Sequence, residues 1–220
     1  SDTQITHGER IWLYLIASII MFLLIFPTII VIPMSFSESQ YLEFPPKEWS
    51  LRWYNEYWET PRWINATVTS LKIAFFTMLL ATPFGTMAAY GLYVSGSKLG
   101  KFVFFLLMTP MIIPVILIAI GTFYVFGKVG VVNSIPGLVL AHTVLAIPIV
   151  MIIMTSALRT YDLNQELVAR SLGASRIRAF FQITLPQIKF SVIISALFAF
   201  LTSFDEVIIS IFLSGGGNST

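Results

Sequence analysis

Five long apolar runs decide what this chain can become. They lie at 11–33, 68–92, 102–126, 138–158 and 190–213. A helix rises about 1.5 Å per residue, so ~20 such residues cross the hydrocarbon of a bilayer, where an unpaired backbone amide finds no water. Composition excludes the soluble alternative, because 56% of residues are hydrophobic, 11% are charged and mean hydropathy is +0.84. The expected fold is therefore all-α and integral to the membrane, with the lipid bilayer as one partner. The 11–33 run is too long for a signal-peptide core and no small-residue cleavage site follows Pro33, so it reads as a retained anchor.

The charges give this fold an orientation. Arg10, Lys98, Lys101, Arg159, Arg170, Arg176, Arg178 and Lys189 flank one set of span ends, and Lys47, Arg52, Arg62 and Lys128 flank the other. Lys and Arg resist translocation, which puts the amino terminus and the loop 159–189 in the cytoplasm and the segment 34–63 outside. Five crossings then leave the carboxyl end, GGGNST, outside as well. A formal net charge of +2 implies no nucleic-acid partner. The chain has no Cys, so it carries no disulfide framework, thiolate metal site or cysteine nucleophile. The outer segment mixes Glu38, Glu43, Glu48, Glu56 and Glu59 with Trp49, Trp53, Tyr54, Tyr57, Trp58 and Trp63. It reads as an amphipathic helix in the headgroup belt, as part of a docking surface for an extracytoplasmic partner, or as both.

Inside the spans, Ala81, Gly85 and Ala89 recur every four residues, which predicts close helix packing where lipid supplies no hydrophobic drive. Pro83, Pro110, Pro114 and Pro148 each remove a backbone donor and predict kinks or local unwinding, with 109–114 read as a gating bend or as plain packing. His142 has no second His, Cys or carboxylate at ligand spacing. It reads as a hydrogen-bonded structural histidine, and no metal site is expected.

The largest island of charge between spans is 162–186, DLNQELVARSLGASRIRAFFQITLP. Asp162 with Gln165 makes a variant of the capping box, and Gly173 supplies a left-handed stop, so a short helix is expected between them. Leu163, Leu167, Val168 and Leu172 share one face of it and need a groove to fill; an ordinary interfacial loop helix is the other reading. Ser175 is expected to cap a second turn through Phe180 and Phe181, which Leu185-Pro186 ends as the chain is redirected into the fifth span.

From Gly173 onward, Gly, nine residues, Ile183, one residue, Leu185-Pro186 resembles the cytoplasmic signature of binding-protein-dependent ABC permeases. Upstream, Leu167, Val168 and Ala169 stand where that signature has Glu-Ala-Ala, and the nearest acid is Glu166, one residue early. The strings TPMIIPVILIAIGTFYVF, GLVLAHTVLAIPIV and SFDEVIISIFLSGGG are similar to the spermidine/putrescine class of these permeases. The resemblance implies a type I ABC importer permease subunit of six helices in a bacterial inner membrane, working by alternating access. It implies as partners a second permease subunit, two ATP-binding subunits that hold ATP and Mg2+, and a periplasmic substrate-binding protein. The chain itself needs no cofactor and, lacking a Walker-type glycine loop, hydrolyses no ATP by that mechanism. The island becomes a coupling helix seated in an ATPase cleft, with Glu166, Leu167, Ala169, Arg170, Gly173, Ala174, Leu185 and Pro186 as its coupling residues. Five spans against an implied six, and a start without Met, lead to the expectation of a truncated chain.

Asp205 and Glu206 lie within the fifth run, where each charged carboxylate costs ~2.5–3.5 kcal/mol at the bilayer centre. On a continuous helix, Ser195, Ala199, Thr202, Ser203, Glu206 and Ser210 form one small, polar stripe that lipid cannot satisfy. One reading has a carboxylate paired with Lys72 or with a basic group on another chain, bracing the bundle. The other has Glu206, assisted by Asp205 and bordered by Thr202 and Ser203, attracting a cationic substrate such as a polyamine in a low-dielectric passage. Members of the resembled family also move opines, ferric ion, sulfate or sugars, which stay open as cargo. An intramembrane enzyme using the acid pair is disfavoured because adjacent positions point about 100° apart and share no reacting atom. A pure scaffold would leave the coupling island with no motion to transmit.

Overall fold

The computed structural model describes residues 10–214; the expectation for the carboxyl end, GGGNST, falls outside them. Every regular element in this range is helical, and four helices, or five if one bent pair counts as a single span, are long and apolar enough to cross a membrane. The described residues form two compact units, divided between residues 64 and 65.

The first unit holds α1 (Ile11–Met34) and α2 (Arg52–Glu59). No residue of α1 is buried, as suits a helix apolar all round. Between the end of α1 and residue 60 only α2 is helical; the rest is a loop closed by a bridge between Ser37 and Trp49, a hydrogen bond from Trp53 Nε1 to the Ser39 carbonyl (3.2 Å) and one between Ser35 and Tyr54 (2.8 Å). The amphipathic helix expected from its aromatic and acidic mixture is thus confined to eight residues.

The second unit is organised around α6 (Ile135–Thr160), the most buried span. Its Ala146 and Val150 pack against Ala81 and Ala89 of α3 (Pro61–Ser95), so the small-residue stripe is a helix-packing surface. The third apolar run is not one straight crossing. It divides into α4 (Lys98–Ile112) and α5 (Val115–Val129), bent by 105°. Proline disfavours helical geometry in the residue before it, and Ile113 takes ψ 133 ahead of Pro114. Pro110, Pro83 and Pro148, by contrast, are absorbed within their helices.

After α6 the island forms α7 (Asn164–Ser171), α8 (Arg176–Ala179) and a π-turn (Phe180–Thr184) that runs directly into α9 (Leu185–Phe204). Leu185-Pro186 was expected to end an element, yet it opens α9: proline lies in the first turn, where a missing N–H costs no hydrogen bond, and the π-turn takes up the irregularity. The helical path from Arg176 to Phe204 is 29 residues long. It stops at Phe204, and after three intervening residues α10 (Ile208–Ser214) begins, packed on α5 and α6.

Candidate functional site

Two polar constellations emerge from this framework, one at the break between α9 and α10 and one around α7. The first corrects the assumption of a continuous fifth helix. Asp205 is the C-cap of α9, exposed, and Glu206 turns its Oε1 back to accept the Ile209 amide at 3.0 Å, capping α10. A carboxylate at a helix start satisfies an orphan amide and meets the positive end of the dipole. The pattern Ser203-Phe204-Asp205-Glu206 ahead of Ile208-Ile209 is the signal that could have disclosed the break. Among the described residues neither acid pairs with Lys72; the ion pair present is Lys47–Glu43 in the first unit.

The expected polar stripe is largely consumed within the chain. Ser195, Ala199, Ser203 and Ser210 are buried, and α9 lies along α6, so this face does not look outward as a continuous strip. Thr202 is half-buried and returns its hydroxyl to the Phe198 carbonyl (2.8 Å). Ser203 meets His142 Nδ1 at 2.8 Å, and Ser210 lies 3.4 Å from His142 Nε2 while donating to the Glu206 carbonyl at 2.9 Å. The pattern is satisfied by a neutral imidazole carrying its proton on Nε2, with Ser203 donating to Nδ1. His142, only 2% exposed, is therefore a hydrogen-bonded bridge between α6 and both halves of the broken helix. Beside it, Ser70, Ile73, Ser203, Phe204, Glu206 and Ser210 line a cavity of about 80 Å3. Replacing His142 with Ala should cost about 2–4 kcal/mol through the void and the unpaired serine hydroxyls. The thermal midpoint of the detergent-purified protein should fall, and His142→Gln should recover part of it; an unchanged midpoint in His142→Ala would show that the bridge carries no stability.

The second constellation gives the island its shape. Asp162 Oδ1 accepts the Asn164 amide (3.0 Å), opening α7. Gly173, at φ 93, closes it: Gly173 N–H reaches the Arg170 carbonyl (3.0 Å) and Ala174 N–H the Ala169 carbonyl (3.1 Å), the paired bonds of a Schellman motif. Ser175 Oγ then accepts the Arg178 amide (3.2 Å) and caps α8. Leu167, Val168 and Leu172 face outward, while Leu163 packs on the core.

Glu166 does the opposite of what an outward contact requires. It is buried, and accepts hydrogen bonds from Tyr90 Oη at 2.6 and 2.7 Å and from Thr184 Oγ1 at 2.9 Å. Removing one such donor leaves a buried carboxylate oxygen unsatisfied, at a cost of about 1–3 kcal/mol. Tyr161 approaches Thr184 at 3.0 Å, and burial raises its phenol above the ordinary pKa, keeping it a donor. Periodicity missed this cluster because Tyr90 and Thr184 lie 76 and 18 residues from Glu166 along the chain.

Comparison with known proteins bears on the family of the chain. The chain is 32% identical over 189 residues to the spermidine/putrescine transport system permease protein PotC of Haemophilus influenzae, covering 86% of this chain and 73% of that protein. It is 32% identical to the putrescine transport system permease protein PotI of Escherichia coli, covering 78% of this chain and 64% of the relative. It is also 31% identical over 66% of its length to the melibiose/raffinose/stachyose import permease protein MelC of Bacillus subtilis, of which it spans 52%. All three are transport permeases rather than enzymes. The model of the binding-protein-dependent transport system inner membrane component matches residues 81–220, a range that takes in α6, the capped island and the broken last helix. That match covers more than half of the sequence, and the chain belongs to this family.

Proposed function

We propose that this chain is a permease subunit of an ABC importer for polyamines. The observation that carries the substrate class is the 32% identity across 86% of the chain to a spermidine/putrescine permease. Glu206 gives that class a chemical foothold: Oε1 is committed to the Ile209 amide, the other oxygen remains to meet a cation, and the carboxylate borders the cavity beside His142. Ser203 lines the same cavity and bonds His142, whereas Thr202 and Asp205 lie next to it in the chain and do not line it. In this reading the ends bearing Arg10, Lys98, Lys101 and Arg159 are cytoplasmic, the 34–63 segment faces a periplasmic binding protein, and a second permease completes the passage. Two partner ATPases hold ATP and Mg2+ and seat α7, with Leu167, Ala169 and Arg170 on the helix, Gly173 and Ala174 shaping its end, and Leu185-Pro186 starting the span it drives. The similarity to a sugar permease supports a second reading, a neutral solute in the same machine.

ATP hydrolysis by the assembled complex in nanodiscs, with its binding protein, separates the two. Spermidine or putrescine should stimulate it, and Glu206→Gln should weaken that stimulation about tenfold, as loss of ~1.4 kcal/mol of charge attraction would. The amide preserves the Oε1 that caps α10, so the loss reports charge rather than folding. Stimulation by melibiose or sulfate and not by polyamines would retain the importer and overturn the cation site.

A further inference from the structure

The two faces of α7 are built for different tasks. Leu167 and Val168, and Leu172 at the C-cap, are 47%, 58% and 84% exposed, whereas Glu166, within the eight-residue helix, is 1% exposed. Apolar neighbours can slide past one another, but a carboxylate held by directional hydrogen bonds cannot move without breaking them. Those bonds lead to separate elements. Tyr90 belongs to α3 and Thr184 to the π-turn feeding α9. Thr184 has one proton and donates it to Glu166 Oε2, so the 3.0 Å bond between Tyr161 and Thr184 must be donated by Tyr161, from the C-cap of α6. Donation therefore runs from Tyr161 through Thr184 to Glu166, and from Tyr90 to Glu166 on the other side. The Phe180 ring, 4.6 Å from that of Tyr90, packs beside the same joint. Among the described residues no cation lies within ion-pair distance of the carboxylate, so two hydroxyls, those of Tyr90 and Thr184, hold it directly and Tyr161 holds the second of them.

We propose that Glu166 is a positioning residue that never touches the ATPase: it clamps α7 to α3 and to the π-turn, so that displacement imposed on the outer ridge is delivered to the spans rather than absorbed by hinging at Gly173. The inference rests on the reading of α7 as the ATPase contact. It adds Tyr90, Thr184 and Tyr161 to the transport machinery and moves Glu166 from the contact surface to the joint behind it. The π-turn fits this role, since an irregular turn between regular helices is where a pull on one side chain can shift the helix that follows.

The test is the ratio of solute moved to ATP hydrolysed by the complete complex in proteoliposomes. Tyr90→Phe and Thr184→Val each delete one donor and keep the shape. Each should lower that ratio at least about threefold while the ATPase subunits remain bound and continue to hydrolyse ATP. With Glu166→Leu already present, Tyr90→Phe should add no further loss, because both act through one carboxylate. A residue that only supports folding would reduce the yield of complex and leave the ratio unchanged. An unchanged ratio in both single variants, or full additivity with Glu166→Leu, overturns the clamp. Leu172→Asp on the outer ridge separates the two levels: if it strips the ATPases while Tyr90→Phe and Thr184→Val keep a normal ratio, the contact stands and the clamp falls. If Leu172→Asp leaves the complex and its uptake intact, both fall.

Discussion

Aspartate placed together at Leu167 and Leu172 should release the partner ATPases and abolish uptake, while the permease itself accumulates normally. Both side chains are exposed in this chain, at 47% and 84%, so the charges enter solvent-facing positions and leave the interior untouched. If the ridge fills an ATPase groove, each leucine contributes ~1.5–3 kcal/mol of burial there. Losing two weakens binding by roughly 10²- to 10⁴-fold before any cost of desolvating carboxylates is added. Copurification of the ATPases with the variant measures the effect. An interfacial helix resting on lipid predicts the contrary: the ATPases stay bound and uptake persists. Wild-type copurification and uptake would therefore remove α7 as the docking element.

A side chain at Gly85 should force apart the seam between α3 and α6. A Cβ there would lie 2.6 Å from Val150 Cγ1 and 2.8 Å from Val150 Cβ, closer than real contacts allow, with the Ile147 carbonyl oxygen at 3.4 Å behind. Ala81 and Ala89 flank the same contact and are fully buried with Val150, so α3 cannot shift locally without opening the seam along its length. Gly85→Ala should cost about 1–3 kcal/mol by overpacking, and Gly85→Leu should prevent recovery of monodisperse protein. The contact is with one side chain, which makes the cause testable. Val150→Ala alone should destabilise by leaving a void, yet combined with Gly85→Ala it should restore much of the thermal midpoint, a strongly non-additive pair. Additive losses would show that the seam does not meet at these two residues.

Much of this architecture was legible because its signals are properties of one element. A run of apolar residues must find a bilayer or a core, and four of the runs do become long helices, with 68–92 and 138–158 lying inside α3 and α6. Gly173 and Ser175 announced the ends of α7 and α8, since a left-handed stop and an oxygen-bearing cap act within four residues of the chain. The glycine and alanine stripe was read as packing for a similarly local reason: small residues on one helical face have no other use in lipid. What failed was the fifth run beyond Phe204. An apolar helix containing Asp-Glu and two apolar helices joined by Asp-Glu have nearly the same composition, and the stripe drawn across the join had meaning only if the join were helical.

The sequence by itself determined that this chain is helical and apolar enough for a bilayer, where its long apolar helices lie, and that a capped, charged element stands between the last two long ones described. These follow from hydrophobicity and backbone capping, which need no knowledge of neighbours. Tertiary structure alone decided which way each polar side chain points: that Pro114 yields a 105° bend while Pro110 stays within its helix, that His142 bridges two serines, that Glu206 caps a helix beside a small cavity, and that Glu166 turns inward to Tyr90 and Thr184. The reason is that a buried polar group takes whatever partner the packing of distant segments brings within about 3 Å, and no periodicity along the chain encodes that meeting.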